Sequence, residues 1–404
     1  MAETDQREGP LSGLKVLDIA TIIAAPLAAT FLADFGAEVV KLELPGKGDG
    51  LRALRPHKDG VPLWWKVTNR GKQCATLDLR TREGADILKE MIPHFDVLVE
   101  NFRLGTIEKW GIGPDVLHAI NPNLTILRVT AFGQHGPYAE RPGFARVGEA
   151  MSGFQSICGD PDRAPLHMGY PLADAVTGMF GAMGILVALL EQRANPGAPG
   201  QIVDVSLAES MFRITEFLAI EYDQLGEVRG RTGNRNPYAA PGNVYQSRDG
   251  RWITVPASTQ ALFERLIRTV GKPEYIEDPR FKTNVDRLAN ADILESAIGS
   301  WVRQRDAKEA CRIFDENSVA NAPVMTIDEI FDDPHYKAYG MIVPVPDEEL
   351  GEVRMQAVTP RLSRTPGSVT HAGPAQGTHT DEVFERYLSR SRADIARLRE
   401  KGVV

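Results

Sequence analysis

The stretch LKVLDIATIIAAPLAATFLADFGAEVVKLELPG, residues 14–46, decides the fold. Leu14–Ile19 is a short apolar run that reads as a strand, and Glu38–Leu44 is a second one. Between them, Pro26 suits the first turn of a helix, because its fixed φ is already helical and its missing N–H is not needed there. Gly36 marks the end of that helix. Strand, helix and strand in so short a span require parallel pairing through a crossover, which places the chain in the α/β class. The turn after the first strand, DIATIIAAP, contains no glycine. A dinucleotide site needs GxGxxG at this point, so neither NAD nor FAD is expected. PGKGDGLRA (45–53) does contain Gly-x-Gly, but it follows the second strand and reads as a surface turn.

Outward from this unit, further strands are expected at CATLDL (74–79), DVLVENF (96–102) and LTILRVTAF (124–132). Helices fall between them, and the alternation runs to about residue 135. A helix is expected from Asp174 to about Arg193, then a turn-rich break at 194–201, a short strand and one long helix. Residues 226–250 read as an ordered loop leading into a hairpin, with NVYQS and RWITVP joined at RDG. Helical periodicity across 259–320 suggests a second, smaller domain, and the chain closes on a helical segment. A length of 404 residues exceeds what one core usually supports, so two domains are expected.

Composition narrows the function. A net charge of −8 argues against nucleic acid or an anionic membrane as the main partner. Three cysteines without CxxC spacing point to reduced thiols and a cytoplasmic protein rather than disulfides or zinc. The polar start MAETDQREGP does not read as a secretory signal. The longest apolar run, Gly178 to Leu190, reads as too short for a bilayer. There is no GxxxxGK[ST], HExxH or GxSxG, and the histidines are scattered, so no metal site is expected.

Two features carry chemistry. Basic stretches at 69–80, 100–105 and 108–111 fall near strand ends, where open α/β sheets bind ligands. Asn101 and Arg103 stand at such an edge and suit a phosphate-bearing ligand. The second feature is Asp174 in GYPLADAVTGMFGAMGILVALL, a lone acid ahead of Gly178, Gly181 and Gly184. The glycine spacing leaves one helix face open to a backbone or a ligand. The acid reads either as a helix N-cap or as a carboxylate nucleophile, which needs no base to activate it.

The chain resembles the class III coenzyme A-transferases of the formyl-CoA transferase and carnitine CoA-transferase type. The resemblance is carried by LSGLKVLDIATIIAAPLAATFLADFGAEVVKLELPGKGD, NRGKQCATLDLRTREG, DVLVENFRLG, VTAFGQHGPYAERPGF, GYPLADAVTGMFGAMGILVAL, GQIVDVSLAES, NAPVMTIDEIFDDPHYKAYGM and the C-terminal GTHTDEVFERYL. It implies a Rossmann-like large domain built from both chain ends (1–210 and 326–404), a small α+β domain at 225–325, and an interlocked homodimer. It implies transfer of CoA from an acyl-CoA to a carboxylic acid, with Asp174 forming an acyl anhydride and then an aspartyl-CoA thioester. Along the CoA it implies Ile23, Ala24, Leu77, Arg80, Asn101, Phe102, Arg103 and Lys109, with Phe144 and Arg146 at the pantetheine end.

The sequence departs from the family in three places. Ile23 replaces a glutamine found in some members, Leu44 replaces a frequent arginine, and VPASTQ (255–260) replaces the glycine run of the oxalate-type enzymes. Oxalate and formate are therefore not the expected acids. The α-methylacyl-CoA racemases, an alternative on the same fold, use a histidine where this chain has Phe144. A non-catalytic CoA-binding protein is the other alternative. In GRTGNRNPYAAPGN, Arg231, Asn234 and Arg235 are candidate ligands for a dicarboxylate such as succinate, or they simply order the loop.

Overall fold

The computed structural model describes residues 9–404, so nearly all of the polar leader read for a secretory signal lies outside the described residues. Contacts divide the chain into two units. One runs through Phe154 and continues with His167–Asp223 and Tyr339–Val404; the other consists of Gln155–Leu166 and Gln224–Ala338.

The first unit is built on six strands: β1 (Lys15–Asp18), β2 (Glu38–Glu43), β3 (Gln73–Thr76), β4 (Val97–Glu100), β5 (Thr125–Thr130) and β6 (Ile202–Ser206). They lie in the order β3-β2-β1-β4-β5-β6, and every pair is parallel. The order reverses between β1 and β4, and ligands bind at the strand carboxyl ends at such a reversal. β1, β2 and β4 are buried along almost their whole length, which is why they read as continuous apolar runs and not as alternating ones.

One face of the sheet is covered by α1 (Ala24–Ala33) and by α5 (Leu172–Ala194). The other is covered by α2 (Arg82–Met91), α3 (Pro114–Ile120) and the C-terminal helices Thr380–Leu388 and Arg392–Glu400. A further helix, α4 (Ala145–Met151), packs beside α5 and α6 (Leu207–Ile214). The last two C-terminal helices were expected as one run; Ser389, at φ +51, turns the chain between them. The helix expected after β6 is also divided, into α6 and Phe217–Leu225. Thr215 ends α6, and its hydroxyl donates back to Phe212 O.

The alanine-rich α1 and the glycines of α5 explain each other. A Cβ on Gly178 would lie 2.9 Å from Ala24 O, and one on Gly181 would lie 3.0 Å from a Leu127 methyl and 3.2 Å from Ala28 Cβ. These glycines let α5 seat against α1 and the sheet. Of the two approaches the glycine spacing allows, backbone or ligand, the structure shows the first: protein fills the face. By length and composition, α5 at 23 residues is long and apolar enough to cross a membrane, longer than the run read from sequence. In the fold, Ala173, Val176, Ala182, Ile185 and Ala188 bury one face of it.

The second unit holds the expected hairpin, β7 (Gly242–Gln246) and β8 (Trp252–Pro256), extended by β9 (Ala322–Pro323). Helices Gln260–Thr269, Ala291–Arg303 and Ala307–Glu316 close over Phe263, Phe281 and Phe314.

Candidate active site

The site begins where β1 ends. Asp18 is fully buried, and Lys72 Nζ lies 2.9 Å from its Oδ2, 2.7 Å from Pro26 O and 3.0 Å from Asn69 Oδ1. Lys41 donates to Ala20 O and lies 3.3 Å from Asp49 Oδ2. Burial pushes the Asp18 carboxyl up, but the two ammonium groups outweigh it and hold it below the usual carboxylate range. Arg70 forms a buried two-pronged pair with Asp34, at 2.9 and 2.6 Å. Most of the basic stretch 69–80 is therefore internal scaffolding, not the ligand-facing charge expected from its position; Arg80 alone of its cations reaches a cavity.

These buried ions fix the loop from β1 to α1. Ile22 adopts φ +69, a strained conformation for a β-branched residue. Its N–H donates to Asp49 Oδ1 at 2.9 Å, and Gly50 leaves room for its side chain. Asp49 comes from PGKGDG, so this segment is more than the surface turn it resembled. Thr21 and Asn101 exchange two hydrogen bonds, and the Phe102 N–H donates to Glu100 Oε2 at 2.7 Å. Arg128 Nε in turn donates to Glu100 Oε1 at 2.6 Å. α1 starts after Ile23 with no side-chain cap, so its first backbone N–H groups have no side-chain partner.

Two cavities share Thr21, Ile22 and Phe102 as a wall. The first, of about 190 Å3, brings together Ile23, Ala24, Asn101, Phe102, Arg103, Phe144 and Asp174. The second, of about 290 Å3, holds Leu77, Arg80 and Phe102 with Lys47, Asp49 and Trp110. Arg80 is held against Asp78 by two hydrogen bonds of 2.8 Å. Lys109 and Arg146, both expected along the ligand, are exposed and line neither cavity. Phe144 is 76% exposed, and no histidine lines either cavity.

Asp174 is the third residue of α5, and Pro171 holds the N-cap position. The N-cap reading of Asp174 is thereby corrected: its carboxylate makes no cap bond and faces the cavity. The cap comes from elsewhere. Glu149 on α4, 1% exposed, accepts from Ala173 N–H at 3.4 Å and from His167 Nδ1 at 3.0 Å. Burial first, and the Glu149 charge second, push the Asp174 carboxyl up to about 7. A carboxylate this poorly solvated gains by being acylated, because acylation removes its charge.

Lys47, Asp49, Arg141 and Glu149 went unread in the sequence. Glu149 carried a legible signal, since FARVGEAMSG is a lone acid among small residues, the same pattern that singled out Asp174. Within the second unit, Arg231 donates to the carbonyls of Asp160, Pro161 and Arg163, and Arg235 pairs with Asp292 and Glu295. Both arginines order their loop, which favours the structural alternative over carboxylate capture; Asn234 is exposed. Among the described residues, no group of three or more His, Cys, Asp or Glu is placed to hold a metal ion.

Comparison with known proteins bears directly on this cleft. The profile of CoA-transferase family III matches residues 11–380. The chain is 42% identical to succinyl-CoA–D-citramalate CoA-transferase of Chloroflexus aurantiacus, over 98% of each chain. It is 41% identical to the beta subunit of succinyl-CoA–L-malate CoA-transferase of the same organism, again over 98% of each. A crystal structure of a CAIB/BAIF family protein from Brucella suis superposes with a TM-score of 0.84 at 31% identity, covering 94% of this chain and 100% of that one. The chain belongs to CoA-transferase family III and is an enzyme that takes acyl-CoA as substrate.

Proposed function

We propose that the enzyme moves CoA from succinyl-CoA to a second dicarboxylic acid through covalent intermediates on Asp174. One observation carries the reading: a single carboxylate, partly desolvated, stands beside the uncapped N-terminus of α1 in a cavity walled by Asn101, Phe102 and Arg103. The Asp174 oxygen attacks the thioester carbonyl, and the C–S bond breaks with its electron pair leaving on the CoA sulfur. The N–H groups at the start of α1 are the donors for the tetrahedral oxyanion. The thiolate then attacks the Asp174 carbonyl of the anhydride and expels the first acid. The incoming carboxylate reverses the two steps.

The names of the relatives support the substrate class, since succinate, citramalate and malate all carry two carboxylates. The CoA runs from the first cavity, with its thiol end beside Phe144, into the second, where Leu77, Arg80 and Lys47 meet the nucleotide portion. In this reading the first unit is a Rossmann-like CoA-binding domain built from both ends of the chain, and the second unit is the small domain. The protein works in the cytoplasm as an interlocked homodimer, with no nucleic-acid or membrane partner. Support for the dimer comes from Met179, Met183, Val187 and Leu190, an exposed apolar stripe along α5.

The test is CoA transfer from succinyl-CoA to a panel of citramalate, malate, glutarate, acetate and oxalate. Citramalate, malate and glutarate accept CoA; acetate and oxalate do not. Transfer to none of the dicarboxylates removes the proposal.

A further inference from the structure

We infer that Glu149 is a positioning residue for Asp174: it fixes the first turn of α5 through the Ala173 N–H and sets a second negative charge behind the nucleophile. His167 holds the other carboxylate oxygen of Glu149. The inference rests on Asp174 being the nucleophile.

The geometry is specific. Glu149 projects from α4, whose other side packs so closely that a Cβ on Gly148 would lie 2.8 Å from Leu207 Cβ. The glutamate is buried, yet neither of its contacts is a neutralising lysine or arginine. One oxygen meets a helix N–H two residues into α5, at the point where Pro171 has no side-chain acceptor to offer. The other meets an imidazole nitrogen. Because an ionised carboxylate only accepts, Nδ1 of His167 is the donor.

The groups facing Asp174 are few. Glu149 comes from α4, and the Tyr170 phenol precedes α5; burial and then the Asp174 charge push that phenol up. Arg103 and Arg141 line the same cavity. Arg103 is turned to Glu140 O at 3.1 Å, and Arg141 stacks 4.6 Å over the Tyr138 ring. No cation is paired to Asp174 in the described residues, while a like charge stands behind it.

That arrangement bears on the first covalent step. As the Asp174 oxygen bonds the thioester carbon, its negative charge moves to the departing CoA sulfur. A fixed carboxylate behind Asp174 raises the free energy of the charged reactant more than that of the neutral anhydride. It also makes the attacking oxygen more basic and hence more nucleophilic. A mere cap would need the acceptor oxygen but not the charge.

Glu149→Gln separates the two roles, since the amide oxygen still accepts from Ala173 N–H while the charge is gone. The full chain, without acyl donor, is labelled with carboxyl-13C aspartate and titrated by NMR, with the Asp174 signal assigned by its loss in Asp174→Asn. In the wild type the midpoint lies near 7. In Glu149→Gln it falls by about one pH unit, and the acid limb of single-turnover CoA release from succinyl-CoA moves with it. His167→Lys leaves the buried glutamate in place, adds a permanent positive charge at a partly exposed position, and lowers the midpoint in the same direction. A folded Glu149→Gln protein with an unchanged Asp174 midpoint overturns the inference. So does an unchanged midpoint in His167→Lys if Glu149→Gln does not fold. Failure to find any acyl group on wild-type Asp174 would instead remove the nucleophile reading, whatever the titration gives.

Discussion

Thr21 and Asn101 hold each other by two hydrogen bonds, from the Thr21 N–H to Asn101 Oδ1 at 2.8 Å and from Asn101 Nδ2 to Thr21 O at 2.7 Å. This pair ties the carboxyl end of β1 to that of β4 where the strand order reverses, and both residues wall the cavity that holds Asp174. Asn101→Ala leaves the Thr21 N–H and carbonyl unsatisfied beside the strained Ile22. A stability loss of about 1–3 kcal/mol is expected by urea denaturation. Because the loop and not the nucleophile is disturbed, KM for the acyl-CoA rises more than kcat falls.

Lys72 is the keystone beneath that loop. Lys72→Met removes the charge nearest Asp18 Oδ2 and takes from Pro26 O one of its donors, leaving the Thr30 hydroxyl. Breaking one side of a buried ion cluster costs about 3–5 kcal/mol. The lower denaturation midpoint should be accompanied by loss of acyl-CoA binding, read by calorimetry. Lys109→Ala, at the exposed end of the short helix Thr106–Lys109, should change stability little.

Asp174 gives stability a defined pH signature. Its carboxyl rises from the unfolded 3.8 to about 7 in the fold, so the folded state holds this proton more tightly. The favourable contribution is complete below about pH 4 and is lost as pH rises through 7. Asp174→Asn removes that loss, and the variant should gain roughly 2–4 kcal/mol on the wild type between pH 4 and pH 8. Thermal midpoints of the two proteins across that range check it. A constant difference at all pH values contradicts the raised carboxyl.

Gly178→Ala tests the packing role of the α5 glycines. The new Cβ meets Ala24 O at 2.9 Å and Leu27 Cβ at 3.1 Å, and backbone cannot step aside as a flexible side chain can. Destabilisation of about 1–3 kcal/mol is expected. Because α1 carries Ile23 and Ala24 into the cavity, the single-turnover rate should fall as well. A stable variant with slowed chemistry alone would restore the ligand-approach role.

Much of this was legible in the sequence, for physical reasons. The β1–α1–β2 unit shows itself because strands buried on both faces read as unbroken apolar runs, and because Pro26 and Gly36 mark the two ends of a helix. Asp174 stands out as one acid in an apolar run. What stayed hidden depends on facing. Lys72 and Arg70 sit in a basic stretch whose charges look available, yet both point inward to Asp18 and Asp34. Asp49 lies in a segment indistinguishable from a surface turn until its carboxylate is seen to hold the Ile22 N–H. The cap of α5 comes from Glu149, 24 residues before Ala173, and no local pattern announces a cap delivered by another helix. Tertiary contacts of this kind outrank the local signals on which a reading of sequence rests.

The measurement that bears most directly on the account is mass-spectrometric peptide mapping after the enzyme is mixed with succinyl-CoA and quenched with hydroxylamine or borohydride. The account predicts one modified peptide, with a hydroxamate or a reduced alcohol at Asp174, and no adduct in Asp174→Asn. CoA transfer that proceeds in the wild type with no adduct at Asp174, or at an undiminished rate in Asp174→Asn, would contradict it.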